Sequence, residues 1–338
     1  MKNFYLSVIS ILILVLVIPS IIVLGFSTEN KAEVVSKDKE IITEDKHPSE
    51  EEVIPVSVLR TSTNEIEDTT LENYVRGVLA AEMPVNFELE ALKAQAVAAR
   101  TFTIKTLLNP DLSKLPPGTD ITDSTLHQVY KSNNDLKITW GSKYDENIKK
   151  INNAINETRG LIMTYKDQPI DASFFSTSNG YTENSEEYWS NTIPYLRSVP
   201  SPWDSNSPVY QDSKTLTVED FQEKLGVKIN SSGDLSKIVR TSSNRVSTVD
   251  INGKLFSGKE IREMLGLRST DFTLELEGTN IIVNTKGNGH GVGMSQYGAN
   301  GMAKQGRNFK EILNYYYQDI EIEDINTNQT IIEAVAKR

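Results

Sequence analysis

Residues 79–102 read LAAEMPVNFELEALKAQAVAARTF. The Ala-, Leu-, Glu- and Lys-rich composition is strongly helical, yet Met83-Pro84 interrupts it, because proline disfavours helical geometry in the residue before it. Two helices meeting at a corner follow: one over LENYVRGVLAAE that stops near Met83, and one from near Phe87 through ELEALKAQAVAARTFTIKTLL. The first opens with Thr69 three residues before Glu72, the spacing of a capping box. The second has acidic residues in its first turn and an apolar stripe at Leu89, Leu92, Ala96 and Ala99, small enough for close packing. Glu82 then sits at a helix C-terminus, where the helix dipole prefers a cation. A charge placed against local stability points to function, although a carboxylate pairing with a neighbour such as Arg100 answers the same spacing.

Around this corner the chain reads as α+β. IPVSVLR (54–60) is a short strand, and LIMTY, the turn KDQ and PIDASFF form a hairpin after the helix NIKKINNAINETRG. TVEDFQEKLG and SGKEIREMLG are short helices, the latter with Ser257 and Glu260 at capping-box spacing and Gly266 as its stop. FTLELEG and TNIIVNTKG make a further hairpin. Hairpins and separated helices without a regular βαβ series give α+β; the expected arrangement is two lobes with a cleft between them, the smaller at about 211–270.

From Phe4 to Phe26 the chain carries no charge; as a helix this stretch is about 34 Å long, enough to cross a bilayer core of about 30 Å. LGFSTENKAE offers no small-x-small cleavage site, which favours an uncleaved transmembrane anchor over a signal peptide. Lys2 before the span puts the short end in the cytoplasm and the remainder outside. The expected organisation is an anchor at 1–27, a polar linker at 28–53, a folded region at 54–322 and a tail at 323–338. A net charge of -11 argues against nucleic acid as a partner. The absence of cysteine excludes disulfides and thiol catalysis, and the histidines are His47 in the linker, His127 and His290.

Two further stretches stand out. KGNGHGVGMSQYGANGMA (286–303) crowds glycines around His290 and Gln296, but it lacks G-K-S/T and G-x-G-x-x-G, so it is not a phosphate loop. FFSTSNGYTENSEEYW (174–189) follows an apolar strand with a concentrated set of hydroxyls and amides, suited to a sugar cleft or to an ordinary turn.

Four blocks, VLAAEMPVNFELEALKAQAVAARTF, SFFSTSNGYTENSEEYW, PYLRSVPSPWD and GNGHGVGMSQYGANGMA, resemble in order and wording the stage II sporulation protein D family, over about residues 54–322. The resemblance implies a membrane-anchored lytic transglycosylase that cuts peptidoglycan between N-acetylmuramic acid and N-acetylglucosamine. Its implied substrate is glycan stripped of stem peptides, and its product a 1,6-anhydro end. It implies action in forespore engulfment on the mother-cell membrane, with the amidase stage II sporulation protein P and with stage II sporulation protein M. It also implies that Glu82 is the catalytic acid and that Arg100 matters for activity. Ser178, Tyr181, Glu183, His290 and Gln296 fall in blocks that look like cleft lining. Some members carry a Cys/His zinc cluster before Q-V-Y; here TDITDSTLHQVYK has His127 and no cysteine, so neither zinc nor any other cofactor is expected.

A lytic transglycosylase needs one acid, because the sugar's own 6-hydroxyl attacks the anomeric carbon, whereas a hydrolytic glycosidase needs two carboxylates. Glu82 should then be desolvated enough to hold its proton, with Arg100 orienting substrate or pairing with another acid such as Glu183. A two-carboxylate muramidase using Glu183, and a non-catalytic glycan-binding module, are the competing readings.

Overall fold

The computed structural model describes residues 54–109, 115–235 and 237–336, all within one compact unit, Glu52–Arg338. The expected anchor and linker lie outside the described residues. Among the described residues no helix is long and apolar enough to cross a membrane.

Strands β1 (Pro55–Arg60) and β2 (Glu65–Thr70) pair antiparallel, and β3 (Ile121–Thr122) joins β1 in parallel. Helix α1 (Leu71–Glu82) follows β2 directly, capped by Thr70, whose hydroxyl accepts from the Asn73 N–H. The cap is therefore one residue later than the expected Thr69, which is held in the ladder opposite Val56. Helix α2 (Leu89–Leu108) starts after a turn in which the Phe87 N–H donates to Pro84 O at 3.0 Å. It is buried on nearly every side, not along one stripe: Ala91, Leu92, Ala94, Ala96, Val97, Ala98 and Ala99 are all inaccessible. Alanine lets many elements approach the axis, and the Thr101 and Thr103 hydroxyls donate back to Val97 O and Ala99 O, so they cost no unsatisfied polar atom.

Around α2 pack α1, α4 (Tyr144–Asn156, after α3, Asn133–Trp140) and β4 (Leu161–Tyr165). The expected hairpin after β4 is short: β5 is only Gln168–Pro169, across a turn with Lys166 and Asp167 at positive φ. Strand β6 (Phe174–Phe175) and the one-turn helix α5 (Ser185–Tyr188) bracket the hydroxyl-rich loop.

A second hydrophobic cluster, running from Leu216 to Val283, is separate from the first and extends past residue 270. It comprises β7 (Gln211–Thr217), α6 (Val218–Leu225), β8 (Lys237–Arg240), β9 (Val246–Ile251), β10 (Lys254–Ser257), α7 (Gly258–Leu265), β11 (Asp271–Glu277) and β12 (Asn280–Lys286), in two three-stranded sheets ordered β10-β9-β8 and β11-β12-β7. Helices α6 and α7 end at Gly226 and Gly266, both left-handed, and Ser257 with Glu260 forms the expected capping box.

The chain then returns to the first cluster. β13 (Met294–Ser295) pairs in parallel with β6, and α8 (Gln296–Lys304) and α9 (Phe309–Tyr316) pack on α2. The stretch expected as a tail is part of the fold. β14 (Glu321–Asp324) pairs with β4, and α10 (Gln329–Ala336) buries Ile331 and Val335 in the first cluster. Apolar residues spaced four apart on a short helix supply the reason.

Candidate active site

Helix α1 stops because Met83 is extended, at φ -122 and ψ 135, and Pro84 cannot continue it. The turn after it is pinned to α8: the Phe87 ring meets Tyr297 edge-on at 4.9 Å, and the Glu88 N–H donates to Asn300 Oδ1 at 2.8 Å. Glu82 is thus held at a corner between α1, α2 and α8. Its Oε1 accepts from the Val129 N–H at 2.9 Å, and its carbonyl accepts from Gln296 Nε2 at 3.2 Å. Burial pushes the half-buried carboxyl above the usual carboxylate range, and the Val129 N–H, which favours the anion, offsets this only in part. No cation touches the carboxyl among the described residues.

Arg100 is elsewhere. It is inaccessible, and its Nε and Nη2 donate to Glu72 Oε1 and Oε2 at 2.8 and 2.7 Å, with Nη1 donating to Leu161 O at 3.1 Å. Its partner is therefore neither Glu82 nor Glu183, and no surface is left to meet substrate. A guanidinium buried in helix α2 requires a bidentate carboxylate, and Glu72 on the first turn of α1 provides it.

The loop after β6 is organised by Asp204, which is inaccessible and which sequence reasoning did not single out. Asp204 Oδ1 accepts from the Ser178 N–H and the Ser295 hydroxyl, and Oδ2 from the Ser178 and Ser201 hydroxyls. Burial raises its carboxyl above the ordinary value, and these four donors pull the other way. Ser178 is consequently a fixed internal residue, not cleft lining. By contrast Tyr181 is 49% exposed, and its carbonyl accepts from the buried Arg245.

Glu183 is also internal. Oε1 accepts from the Asn184 N–H, Oε2 accepts from the Thr241 and Ser243 hydroxyls at 2.7 and 2.6 Å, and its own N–H donates to Gly291 O. His290 is half-buried among Phe175, Tyr188 and Trp189, with ring centroids 5.6, 5.8 and 5.3 Å away. The Val292 N–H donates to Nδ1, so the ring proton is on Nε2, which donates to Phe174 O at 3.0 Å. Burial, with help from Arg262 and Arg245, lowers its pKa to about 4. It is a neutral imidazole whose two nitrogens both hold backbone.

The glycine crowding beside it has a steric cause. At Gly293, φ is +80 and a Cβ would lie 2.0 Å from Ser173 O, so β13 could not reach β6 with any other residue there. Gln296, just after β13, is the member of this block that reaches the Glu82 corner; its Nε2 also approaches the buried Gln95 Oε1 at 3.4 Å. His127 Nδ1 accepts from the Thr122 N–H at 3.3 Å, fixing the loop that delivers Val129. Among the described residues no group of three His, Cys, Asp or Glu is arranged to hold a metal.

The structure therefore brings Glu82 and Gln296 together and separates them from Arg100, Ser178 and Glu183. Val129 was not legible beforehand, since it contributes only a backbone N–H. A family model, SpoIID, described as Stage II sporulation protein, matches residues 59–165, the span that holds Glu82 and Val129. Stage II sporulation protein D of Bacillus amyloliquefaciens is 48% identical over 323 residues, covering 93% of this chain and 94% of that relative. Stage II sporulation protein D of Bacillus subtilis (strain 168) is 46% identical over 331 residues, 96% of each chain. A protein of the same strain named amidase enhancer is 30% identical over 298 residues, 72% of this chain and 39% of the relative. With a half-buried glutamate at the helix corner and this similarity along nearly its whole length, the chain belongs to the stage II sporulation protein D family.

Proposed function

We propose that this chain is a lytic transglycosylase, anchored in the membrane by residues 4–26, that cuts peptidoglycan between N-acetylmuramic acid and N-acetylglucosamine on strands stripped of stem peptides. The observation that carries the reading is Glu82: a desolvated carboxyl at a solvent-reaching corner, held by one backbone N–H and contacted by no cation among the described residues. Such a group keeps its proton to higher pH than a free glutamate and can give it to a glycosidic oxygen.

In the step proposed, the Glu82 proton passes to the bridging oxygen as the bond from the muramic C1 breaks. The 6-hydroxyl of the same ring closes on C1, and its proton returns to the Glu82 carboxylate. No water is consumed, the product carries a 1,6-anhydro ring, and one carboxyl serves as acid and then base. The competing two-carboxylate hydrolysis needs a second carboxylate facing the same bond. Glu183 is a poor candidate, because three donors already hold its oxygens and it is 1% exposed.

The family supports a role in sporulation, and we place the activity in forespore engulfment at the mother-cell membrane. The similarity to a protein named amidase enhancer supports coupling to an amidase, with stage II sporulation proteins P and M as the expected partners. The test is digestion of stripped glycan by the purified full chain and by its Glu82→Gln variant, with product masses read directly. Anhydro ends from the wild type and none from the variant are expected; reducing ends, or equal cleavage by the variant, refute the assignment.

A further inference from the structure

Between helix α1 and the segment that starts α3 lies a cavity of about 190 Å³. Two cations line it, Arg76 and Lys131, with the amides of Asn73, Asn133 and Asn134. Arg76 is half-buried and makes no hydrogen bond or ion pair among the described residues. Among the described residues Lys131 Nζ reaches only the Thr139 hydroxyl, at 3.3 Å. The acid on the cavity wall, Glu67, is already held by Arg60 at 2.9 Å and by the Tyr130 hydroxyl at 2.8 Å. The cavity is therefore net positive in a chain whose net charge is -11. A half-buried guanidinium with no hydrogen bond or ion pair among the described residues, framed by amide donors, is suited to a planar anion.

The cavity is also tied to the acid by the chain itself. The Val129 N–H donates to Glu82 Oε1 and, two residues on, the Lys131 N–H donates to Gly77 O at 3.4 Å. Two residues of chain span at most about 7 Å. Gly77 permits the approach, because a Cβ there would lie 2.4 Å from Lys131 O and 2.4 Å from the Tyr130 ring. The segment 129–131 therefore runs from the Glu82 carboxyl to the cavity wall.

We infer that this cavity is a carboxylate subsite for the free 3-O-lactyl group of the muramic ring being cut, with Arg76 its principal ligand and Lys131 its second cation. The inference rests on the lytic reading above. The lactyl carboxylate is charged only after an amidase has removed the stem peptide; while the peptide is attached, that group is a neutral amide. Arg76 would thus read whether a strand has been stripped.

The test is binding, so that it does not depend on cleavage. Calorimetry with the full chain carrying Glu82→Gln compares stripped strands, stripped strands whose lactyl carboxylates have been converted to primary amides, and peptide-bearing strands. Stripped strands are expected to bind about tenfold tighter than the amidated ones, the worth of one charge-assisted contact. Adding Arg76→Gln should bring that ratio to about one, Arg76→Lys should keep part of it, and Lys131→Gln should lower it. Circular dichroism checks each fold; should Arg76→Gln misfold, Arg76→Lys and Lys131→Gln carry the test.

Equal binding of stripped and amidated strands, or discrimination that survives Arg76→Gln, overturns the inference. So does Arg76-dependent tight binding of peptide-bearing strands, which would assign the cavity to stem carboxylates. A wild type that discriminates in binding but releases no anhydro ends leaves the subsite standing and removes the lytic reading.

Discussion

Replacing Arg100 separates two meanings of importance. The family resemblance makes this arginine matter for activity, whereas its surroundings make it a brace between helices. The side chain is inaccessible, donates twice to Glu72 and once to Leu161 O, and Glu72 is itself 16% exposed. Arg100→Met would leave the Glu72 carboxylate without its counter-ion in a site that excludes most water, a loss of about 3–5 kcal/mol. For a fold of this size that lowers Tm by on the order of 10 °C. Glu72→Leu alone should cost a similar amount, because it strands the guanidinium.

The double variant Arg100→Met/Glu72→Leu removes both charges and should recover at least half of either single loss, as buried ion pairs replaced by apolar side chains generally do. Recovery is incomplete because Leu161 O and the Gly160 N–H, 3.3 Å from Glu72 Oε1, lose partners as well. Denaturant unfolding gives the stabilities, and kcat/KM on stripped glycan, normalised to folded protein, gives the activity. If Arg100 acts as a brace, the double variant keeps kcat/KM within about threefold of wild type, since a chemical contribution would remove tenfold or more. A double variant that is stable yet inactive refutes the brace and puts Arg100 in contact with substrate.

Two shorter predictions follow from the same corner. Gly77→Ala should force the Tyr130–Lys131 segment off helix α1, costing about 1–3 kcal/mol as overpacking does, and it should lower kcat by loosening the Val129 N–H from Glu82; unchanged kcat in a folded variant would contradict this. Because burial raises the Glu82 pKa in the folded chain, its stabilising contribution is present below the unfolded value of about 4.3 and is lost as pH rises through the folded value. Glu82→Gln should therefore match wild type in Tm in acid, exceed it increasingly as pH rises from the unfolded to the folded value and by a constant amount above that, while wild-type cleavage declines as pH passes the folded value. His290, lowered to about 4, adds no inflection to cleavage near neutrality, and the Tm it costs as pH falls from its unfolded value of about 6.5 is common to both proteins and cancels in their difference; a pH-independent Tm difference would refute the Glu82 assignment.

Much of the backbone was legible because its signals are local. The Met83-Pro84 break, the Ser257–Glu260 capping box and the Gly266 stop each depend on neighbours within one turn, and each is where the pattern put it. What was missed depends on distant pairing. Thr69 looked like a cap because Glu72 stands three residues on, but Glu72 is drawn to an arginine 28 residues away. The apolar stripe on α2 could not reveal a helix buried all round, because alanine carries too little hydrophobicity to mark its faces. Asp204 looked like one more loop acid; its four donors come from residues 178, 201 and 295, which no sequence period connects.

The same distinction explains how buried residues of the hydroxyl-rich and glycine-rich blocks bear on the Glu82 corner. Asp204 ties Ser178 to Ser295, Ser295 begins α8 by accepting from the Gly298 N–H, and the next residue, Gln296, donates to the carbonyl of Glu82. Gly293 lets β13 lie against β6, which fixes where α8 starts. A change at Ser178 or Gly293 therefore reaches the acid through α8, by moving the helix against which the corner is built. Residues in these blocks can be indispensable for positioning Glu82, while the proton transfer proposed for it uses one carboxyl and one backbone N–H.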